Sequence, residues 1–202
     1  DYGEYACQRA FDADPEKVWD FHDVRRRAVA LCEPNEGHRI IAAVPGATVV
    51  TQNIDGLHQR AGVDDPRVIE LHGSLWRVRC DRHGVVVAND QVPINPRRCA
   101  CGAYWRPDIV WFEDMLDARV LERAGDALAK ADAIVSIGTS GVVYPAADLP
   151  RIAVSNGAVS IEINLEDTPV SHLYQHRLRM PASEALDQLW RLPLKQCIKR
   201  SA

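Results

Sequence analysis

Short apolar runs alternate with longer amphipathic segments along this chain, and no other feature of the sequence constrains its fold as strongly. The runs that predict strands are Thr48–Thr51, Val68–Leu71, Asp108–Phe112, Ala133–Ile137 and Val159–Ile163. The segments that predict helices are Pro15–Cys32, Asn35–Val44, Ala118–Ala129, Ala146–Asn156 and Ser183–Arg191. Strands joined by helical crossovers pair in parallel, and the helices cover the sheet. The sequence therefore predicts an α/β fold with a parallel sheet and helices on both faces.

The composition limits the classes of partner. Of the 202 residues, 47% are hydrophobic and 26% are charged, which is typical of an ordinary globular protein. The formal net charge of −4 argues against a protein that coats nucleic acid or binds a membrane surface. No apolar run approaches the roughly 18 residues that a membrane-spanning helix requires. We therefore expect neither nucleic acid nor a membrane as a direct partner.

The segment 76–105 lacks a periodic pattern and contains three of the six cysteines. Its candidate metal ligands are Cys80, His83, Cys99 and Cys101. A glycine follows each of the two ligand pairs, which leaves room for a tight turn. Zn²⁺ takes four thiolate or imidazole ligands in a tetrahedron, and a small segment with little core needs such a staple. We predict a structural Cys₃His zinc site; the alternative is three buried thiols and a surface histidine.

The other three cysteines, Cys7, Cys32 and Cys197, are scattered along the chain. A secreted disulfide framework would distribute paired cysteines through a smaller chain. We therefore expect a reducing, cytoplasmic location.

Polar or small residues follow four of the five predicted strands. They are Gln52, Asn53 and Asp55, then His72, then Gly138, Thr139 and Ser140, and finally Asn164 and Glu166. In open parallel sheets, ligands bind beyond the carboxyl ends of the strands, and small residues let the backbone approach a phosphate or a ribose. Turns alone also favour polar residues at strand ends. Because four ends share the feature, we favour a ligand site.

These segments resemble the sirtuins, the family of NAD-dependent protein-lysine deacylases. The matching runs are TQNIDGLHQRAG (51–62), ELHGSL (70–75), RPDIVWF (106–112), IGTSGVVYPAA (137–147) and INLE (163–166). The resemblance implies a Rossmann-like domain with a small zinc module, and NAD and acyl-lysine meeting between them. It divides the chain into a helical part of the small domain (1–34), a first Rossmann-like part (35–75), the zinc-binding module (76–105) and a second Rossmann-like part (106–202).

The resemblance also assigns roles to individual residues. His72 would be the catalytic base: the acyl oxygen attacks the nicotinamide ribose and expels nicotinamide, and the histidine then draws a proton from a ribose hydroxyl. An imidazole suits this step because its ordinary pKa is ~6.5. The implied cofactor contacts are Gln52, Asn53, Ile54, Asp55, Gly138, Thr139, Ser140, Asn164, Leu165, Glu166 and Ala182. The implied substrate contacts are His22, Arg25, Val110 and Phe112.

The helix around His22 departs from the family in an informative way. Relatives that remove acidic acyl groups carry Tyr-x-x-Arg where this chain has His22 and Arg25. Residues three apart share a helix face, so both side chains can face one pocket, where Arg25 would grip a carboxylate and the His22 imidazole could donate to it, better when protonated. We therefore expect desuccinylase or demalonylase activity beside deacetylase activity. The alternative is a solvated basic face formed by His22 and residues 25–27.

Two other departures bear on activity. The family's glycine-rich opening strand and loop does not occur in the 202 residues, and we expect this chain by itself to bind NAD weakly or not at all. Glu113 occupies a position where the family has glycine, in a stretch that pairs with the substrate peptide. Two other functions stay open: ADP-ribosyl transfer or NAD hydrolysis, and a non-catalytic zinc-bearing interaction module. The intact His72 and Asn53 argue against the module.

Overall fold

The computed structural model describes residues 2–191, so Cys197 and the end of the segment 106–202 lie outside it. In chain order the helices are α1 (Gln8–Ala13), α2 (Pro15–Ala30), α3 (Glu36–Ala43), α4 (Leu57–Arg60), α5 (Ala118–Ala129), α6 (Leu149–Ser155) and α7 (Ala182–Arg191). The strands are β1 (Val49–Thr51), β2 (Val68–Glu70), β3 (Gly73–Cys80), β4 (Val85–Ala88), β5 (Arg106–Ile109), β6 (Ala133–Ile137), β7 (Val159–Ile163) and β8 (His176–Leu178). The described residues include no helix long and apolar enough to span a membrane.

The strands form three sheets. β1 pairs in parallel with β2, and β6, β7 and β8 form a second parallel sheet in that order. The third sheet has the order β4-β3-β5 and is antiparallel. Within residues 2–191, β1 pairs only with β2 and β6 only with β7. The parallel strands therefore form two separate sheets rather than one continuous sheet.

The predicted helices are confirmed, with boundaries that differ by at most three residues. Asp14 accepts a hydrogen bond from the Lys17 backbone at the start of α2, and Asn35 caps α3 through the His38 backbone. These caps satisfy amide groups that a helix start leaves without partners. A short 3₁₀ helix, Ala146–Asp148, precedes α6 where we expected continuous α-helix. Asp14 and Asn35 therefore fix the starts of α2 and α3.

The prediction for Asp108–Phe112 was wrong. The strand is β5, which ends at Ile109, three residues before the predicted end, and it pairs antiparallel with β3 instead of joining a parallel sheet. The chain turns after β5 because the Asp114 carboxylate accepts from the Trp111 backbone and the Asp114 backbone donates to the Trp111 carbonyl. This turn buries the Trp111 ring in the core beneath α2.

Helix α2 packs on the segment 76–105. The guanidinium of Arg26 donates to the carbonyls of Asn89 and Gln91, and that of Arg97 pairs with Glu16, Asp20 and Asp23. The core between them includes Val18, Trp19, Leu75, Val78, Ile94 and Trp111. The amino-terminal helices and the cysteine-bearing segment therefore form one packed unit.

Candidate functional site

His72 lies in the turn between β2 and β3, half-buried. Its Nδ1 lies 2.9 Å from the backbone oxygen of Gln52, which follows β1. A carbonyl oxygen can only accept, so Nδ1 carries the hydrogen, and in the neutral ring Nε2 keeps its lone pair. The parallel pairing of β1 with β2 brings the two strand ends together and so makes this bond possible. The ring is thereby oriented as a base that acts through Nε2.

Two further strand ends join the same cluster. The Gln52 side-chain amide donates to the Thr139 hydroxyl at 3.2 Å, and the Asn164 amide donates to the Thr139 carbonyl at 2.8 Å. Thr139 follows β6 and Asn164 follows β7. The loops that we predicted to meet are therefore connected by hydrogen bonds, with His72 at one end of the chain of contacts.

The other candidate cofactor residues lie on these loops in two environments. Exposed side chains are those of Asn53, Ser140, Leu165 and Glu166. Inward-facing positions are those of Ile54, which packs on the core beneath α2, and Asp55, whose carboxylate accepts from the Leu57 backbone. Ala182 begins α7 and is half-buried. The structure places all of them on the expected elements, and their contact with a cofactor stays a prediction.

The loop after β6 leaves room for a dinucleotide to approach its backbone closely. Gly138 has φ +60°, and a Cβ built there would meet nothing within 4 Å, so open space borders this backbone. Thr139 and Ser140 add hydroxyl groups, and the exposed Glu166 carboxylate offers an acceptor of the kind that binds ribose hydroxyls. The donors and acceptors present are those that a nucleotide's sugar and phosphate groups require.

The predicted metal ligands converge at the tip of the β4-β3-β5 sheet. The ligand atoms of Cys80, His83, Cys99 and Cys101 all lie within 4.8 Å of one another. The Cys80 and Cys101 sulfurs are 3.6 Å apart, as are the Cys99 sulfur and His83 Nδ1. Sulfurs bound to one Zn²⁺ at about 2.3 Å in a tetrahedron lie about 3.8 Å apart. The donor set fits a closed zinc site, which leaves no position for water.

Glycines make both ligand pairs possible. Gly84 has φ +64° and donates to the Cys80 carbonyl, and Gly102 has φ +83° and donates to the Cys99 carbonyl. Each glycine therefore closes a tight turn that brings the ligand pair to one side.

His22 is buried with unused hydrogen-bonding capacity. It is 1% exposed, and neither of its ring nitrogens has a hydrogen-bond partner among residues 2–191. Its ring stacks on that of Trp111, with centroids 6.3 Å apart, and the buried Trp111 Nε1 also has no partner. Burial, with smaller effects of Arg25, Arg106 and Arg26, lowers the pKa of His22 to about 3. His22 is therefore neutral near pH 7, so only the weaker donation by a neutral imidazole is available at this pH.

The alternative of a solvated basic face is wrong for most of its members. His22 and Arg26 are each 1% exposed. Arg25 is half-buried, and its guanidinium lies over the Phe21 ring at 5.6 Å from the centroid. Only Arg27 has an exposed side chain.

The candidate substrate positions Val110 and Phe112 flank this core. The Val110 backbone donates to the His72 carbonyl at 3.0 Å, and the Phe112 ring is 74% exposed. The segment therefore connects the turn of His72 with Trp111 and the ring of His22.

Sequence reasoning missed an ion-pair cluster beside His72. Arg77 on β3 pairs with Glu70 on β2 and with Asp108 on β5. Glu70 and Asp108 lie inside the quoted motifs ELHGSL and RPDIVWF, yet nothing in the sequence joins them to Arg77. The pairing depends on tertiary structure, since β3 pairs with β5 in one sheet while β2 belongs to another.

The chain matches a family model and many known proteins. The model described as "Sir2 family" matches residues 3–145. A protein named NAD-dependent protein deacylase from Aquifex aeolicus (strain VF5) is 40% identical over 196 residues, which cover 93% of this chain and 80% of the relative. Another of that name, from Mycobacterium tuberculosis (strain ATCC 25618 / H37Rv), is 43% identical over 201 residues, covering 94% of this chain and 84% of the relative.

Solved structures agree with these relatives. A Sir2 homologue in complex with NAD is 39% identical with a TM-score of 0.86, covering 96% of this chain and 78% of that one. A structure described as Sir2 with a p53 peptide and NAD⁺ is 30% identical with a TM-score of 0.78, covering 90% of this chain and 79% of that one.

Proposed function

The chain belongs to the Sir2 family, and we propose that it is an NAD-dependent protein-lysine deacylase that transfers the acyl group to ADP-ribose and releases nicotinamide. The relatives named NAD-dependent protein deacylase support this over most of the chain. The observation that carries the proposal is the bond between His72 Nδ1 and the Gln52 carbonyl. That bond makes Nε2 the nitrogen that keeps its lone pair, on a ring bonded to the first of the loops that we assign to the cofactor.

The cofactor loops would bind NAD through Gln52, Thr139 and Asn164, with Glu166 at a ribose. When bound, NAD supplies a ribose whose bond to nicotinamide breaks and whose hydroxyl receives the acyl group. His72 accepts the hydroxyl proton at Nε2, because Nδ1 already donates to Gln52. The same carbonyl then stabilises the positive charge on the ring, since it accepts from an N–H of the imidazolium.

Zinc has a structural role in this proposal. Cys80, His83, Cys99 and Cys101 would hold it, and a closed set of four ligands admits no substrate. We assign the small domain to residues 1–34 and 76–105, because α2 and the cysteine-bearing segment share a core and the ion pairs of Arg97.

The substrate class is an acyl-lysine peptide, as the Sir2 structure with a p53 peptide suggests for this family. The exposed Phe112 and the backbone around Val110 would contact it. We place the protein in the cytoplasm, and the free thiols of Cys7, Cys32 and the three metal-site cysteines agree with a reducing compartment.

Acidic acyl groups are the acyl class that we propose beside acetyl. Arg25 would supply the charge that binds a carboxylate. Neutral His22 can donate one hydrogen bond, and both of its nitrogens lack partners. His22 therefore adds a neutral hydrogen-bond donor or acceptor beside the charged Arg25, rather than a second positive charge.

The experiment follows both products of an acetyl-lysine peptide and NAD. We expect deacylated peptide, nicotinamide and O-acetyl-ADP-ribose in equal amounts, and we expect His72→Asn to lower the rate roughly 10²- to 10⁴-fold, because that is the usual contribution of a general base. His172→Asn is the matched control, since the exposed His172 also has Nδ1 at 2.9 Å from a backbone oxygen. NAD loss without peptide deacylation would indicate a hydrolase, and zinc-loaded, folded protein without turnover would indicate an interaction module.

A further inference from the structure

Arg77 connects three strands around the turn that carries His72. Its Nε donates to Asp108 Oδ2 at 2.8 Å, and its Nη1 donates to Glu70 Oε2. The side chains of Glu70 and Asp108 are only 9% and 20% exposed. The other Glu70 oxygen accepts from the Gln59 amide at 3.0 Å. Arg77 thus neutralises two poorly solvated carboxylates at once.

The ion pairs lie where the β3–β5 ladder is interrupted. Gly73 is opposite Ile109, but Val78 is opposite Pro107, so the register shifts between Gly73 and Val78. Asp108 lies opposite this irregular stretch. Since Pro107 has no N–H to donate, backbone bonds alone hold the two strands weakly here. The Arg77–Asp108 pair joins the strands across the gap.

The gap adjoins His72 directly. The Val110 backbone donates to the His72 carbonyl, and a Cβ on Gly73 would lie 2.0 Å from the Asp108 carbonyl oxygen. The turn of His72 and the end of β5 are therefore in close backbone contact. Any change in their separation would move the His72 ring relative to the loops that carry Gln52 and Thr139.

We propose that Arg77 is a positioning residue for His72. Its planar guanidinium binds Glu70, two residues before His72, and Asp108, across the gap from the following strand. The two pairs set the distance between the His72 turn and β5, so Arg77 acts on catalysis through His72 without touching substrate. This inference rests on the proposed deacylase function.

The test separates proton removal from the earlier step. Exchange of labelled nicotinamide into NAD reports cleavage at the ribose, which precedes proton removal by His72. We expect Arg77→Met to lower the kcat of deacylation roughly 10- to 100-fold, the effect of misplacing a catalytic group by about 1 Å. Nicotinamide exchange should stay within about twofold of the wild-type rate, because it does not need the base. Arg77→Lys should recover part of the deacylation rate, since it keeps the charge but not the two-sided geometry.

Arg79→Met is the matched control on the same strand. Arg79 pairs with the exposed Asp81 at 2.9 Å, away from His72, and its loss should change neither rate. Thermal unfolding and zinc content are measured on every variant. If Arg77→Met does not fold, Glu70→Gln replaces it, because it removes one ion pair and keeps a hydrogen-bonding side chain.

Three outcomes would contradict the inference. Equal losses of nicotinamide exchange and of deacylation would show that Arg77 supports the fold as a whole. The same conclusion would follow if Arg77→Lys failed to restore deacylation and the variants had also lost zinc. Unchanged deacylation in a folded variant would show that His72 needs no such support. A wild-type protein that releases nicotinamide from NAD but never deacylates a peptide would overturn the proposed function as well, which distinguishes the two failures.

Discussion

Each half of the molecule buries a polar side chain that differs from the other in its hydrogen bonds. Glu162 on β7 and His22 on α2 are each 1% exposed. Glu162 accepts hydrogen bonds from Thr168, Ser171 and Arg179 at 3.0, 2.7 and 2.6 Å. In the part of the chain that the structure describes, His22 has no hydrogen-bond partner at either nitrogen. One carboxylate is fully satisfied within the fold, and one imidazole is not.

The difference distinguishes a buried side chain that stabilises the fold from one that can still bind a ligand. Burying a polar group without a partner costs free energy, so most buried polar groups have one. Burial raises the pKa of Glu162, but the bonds from Ser171 and Arg179 outweigh it and lower the pKa overall. For His22, burial lowers the pKa to about 3 and no bond compensates. We infer that Glu162 is a structural part of the β6-β7-β8 sheet, whereas His22 keeps hydrogen-bonding capacity for a ligand.

The largest expected effect tests the hydrogen bonds that Glu162 accepts. Glu162→Leu should reduce the free energy of unfolding by about 3–5 kcal/mol, because Arg179 and two hydroxyls lose their buried acceptor. Denaturant unfolding measures this. Asp148→Asn is the control: Asp148 pairs with Arg151 at the surface, and its loss should cost about 0–1 kcal/mol. Similar small losses for both variants would contradict the comparison.

The next effect tests the buried, neutral state of His22 through the pH dependence of stability. The pKa of His22 falls from 6.5 in the unfolded chain to about 3 in the fold, so the unfolded chain binds more protons between these values. Stability should be unaffected by His22 above about pH 6.5 and should fall as the pH decreases toward 3. Between pH 7 and pH 4 this amounts to about 3 kcal/mol.

His22→Phe isolates this contribution because it keeps an aromatic ring and removes the titrating group. Unfolding curves of the two proteins should diverge below pH 6.5, with the variant more stable in acid. Protonation of the zinc ligands affects both proteins and cancels in the difference. Parallel pH dependences would mean that His22 is not buried in its neutral form.

The smallest expected effect concerns the acidic acyl group that we propose as a ligand of His22 and Arg25. Arg25→Met should lower the ratio of succinyl to acetyl kcat/KM about tenfold, or about 1.4 kcal/mol, because a charge-assisted bond to the carboxylate is lost. Steady-state rates on paired succinyl- and acetyl-peptides measure the ratio. Arg27→Met is the matched control, because Arg27 lies on the same helix with an exposed side chain. A strong acetyl preference that neither variant changes would exclude acidic acyl groups.

Features of short range were predictable from the sequence. The bounds of β6, β7 and α5 are those predicted, because each is an unbroken apolar or amphipathic run with a clear start. The four metal ligands were also recognisable, since a tight turn closed by glycine holds each pair. Polar residues at strand ends indicated a shared site because parallel strands necessarily end at the same edge.

Other features depended on contacts that no local pattern encodes. The strand β5 reads as part of a buried parallel strand, yet its partner is β3, about thirty residues earlier in the chain, and an Asp114 turn ends it. Arg77 joins two motifs that look independent in the sequence.

Within residues 2–191, the sequence by itself determined five of the seven α-helices, the strands β1, β2, β6 and β7, the candidate metal ligands and the family, because these follow from residue type and spacing over a few residues or from motifs in fixed order. The tertiary structure alone decided that His22 is neutral and unpartnered, that Arg77 links Glu70 to Asp108, and that Nδ1 of His72 faces Gln52. Burial and long-range pairing set protonation and orientation, and both depend on which distant residues pack together.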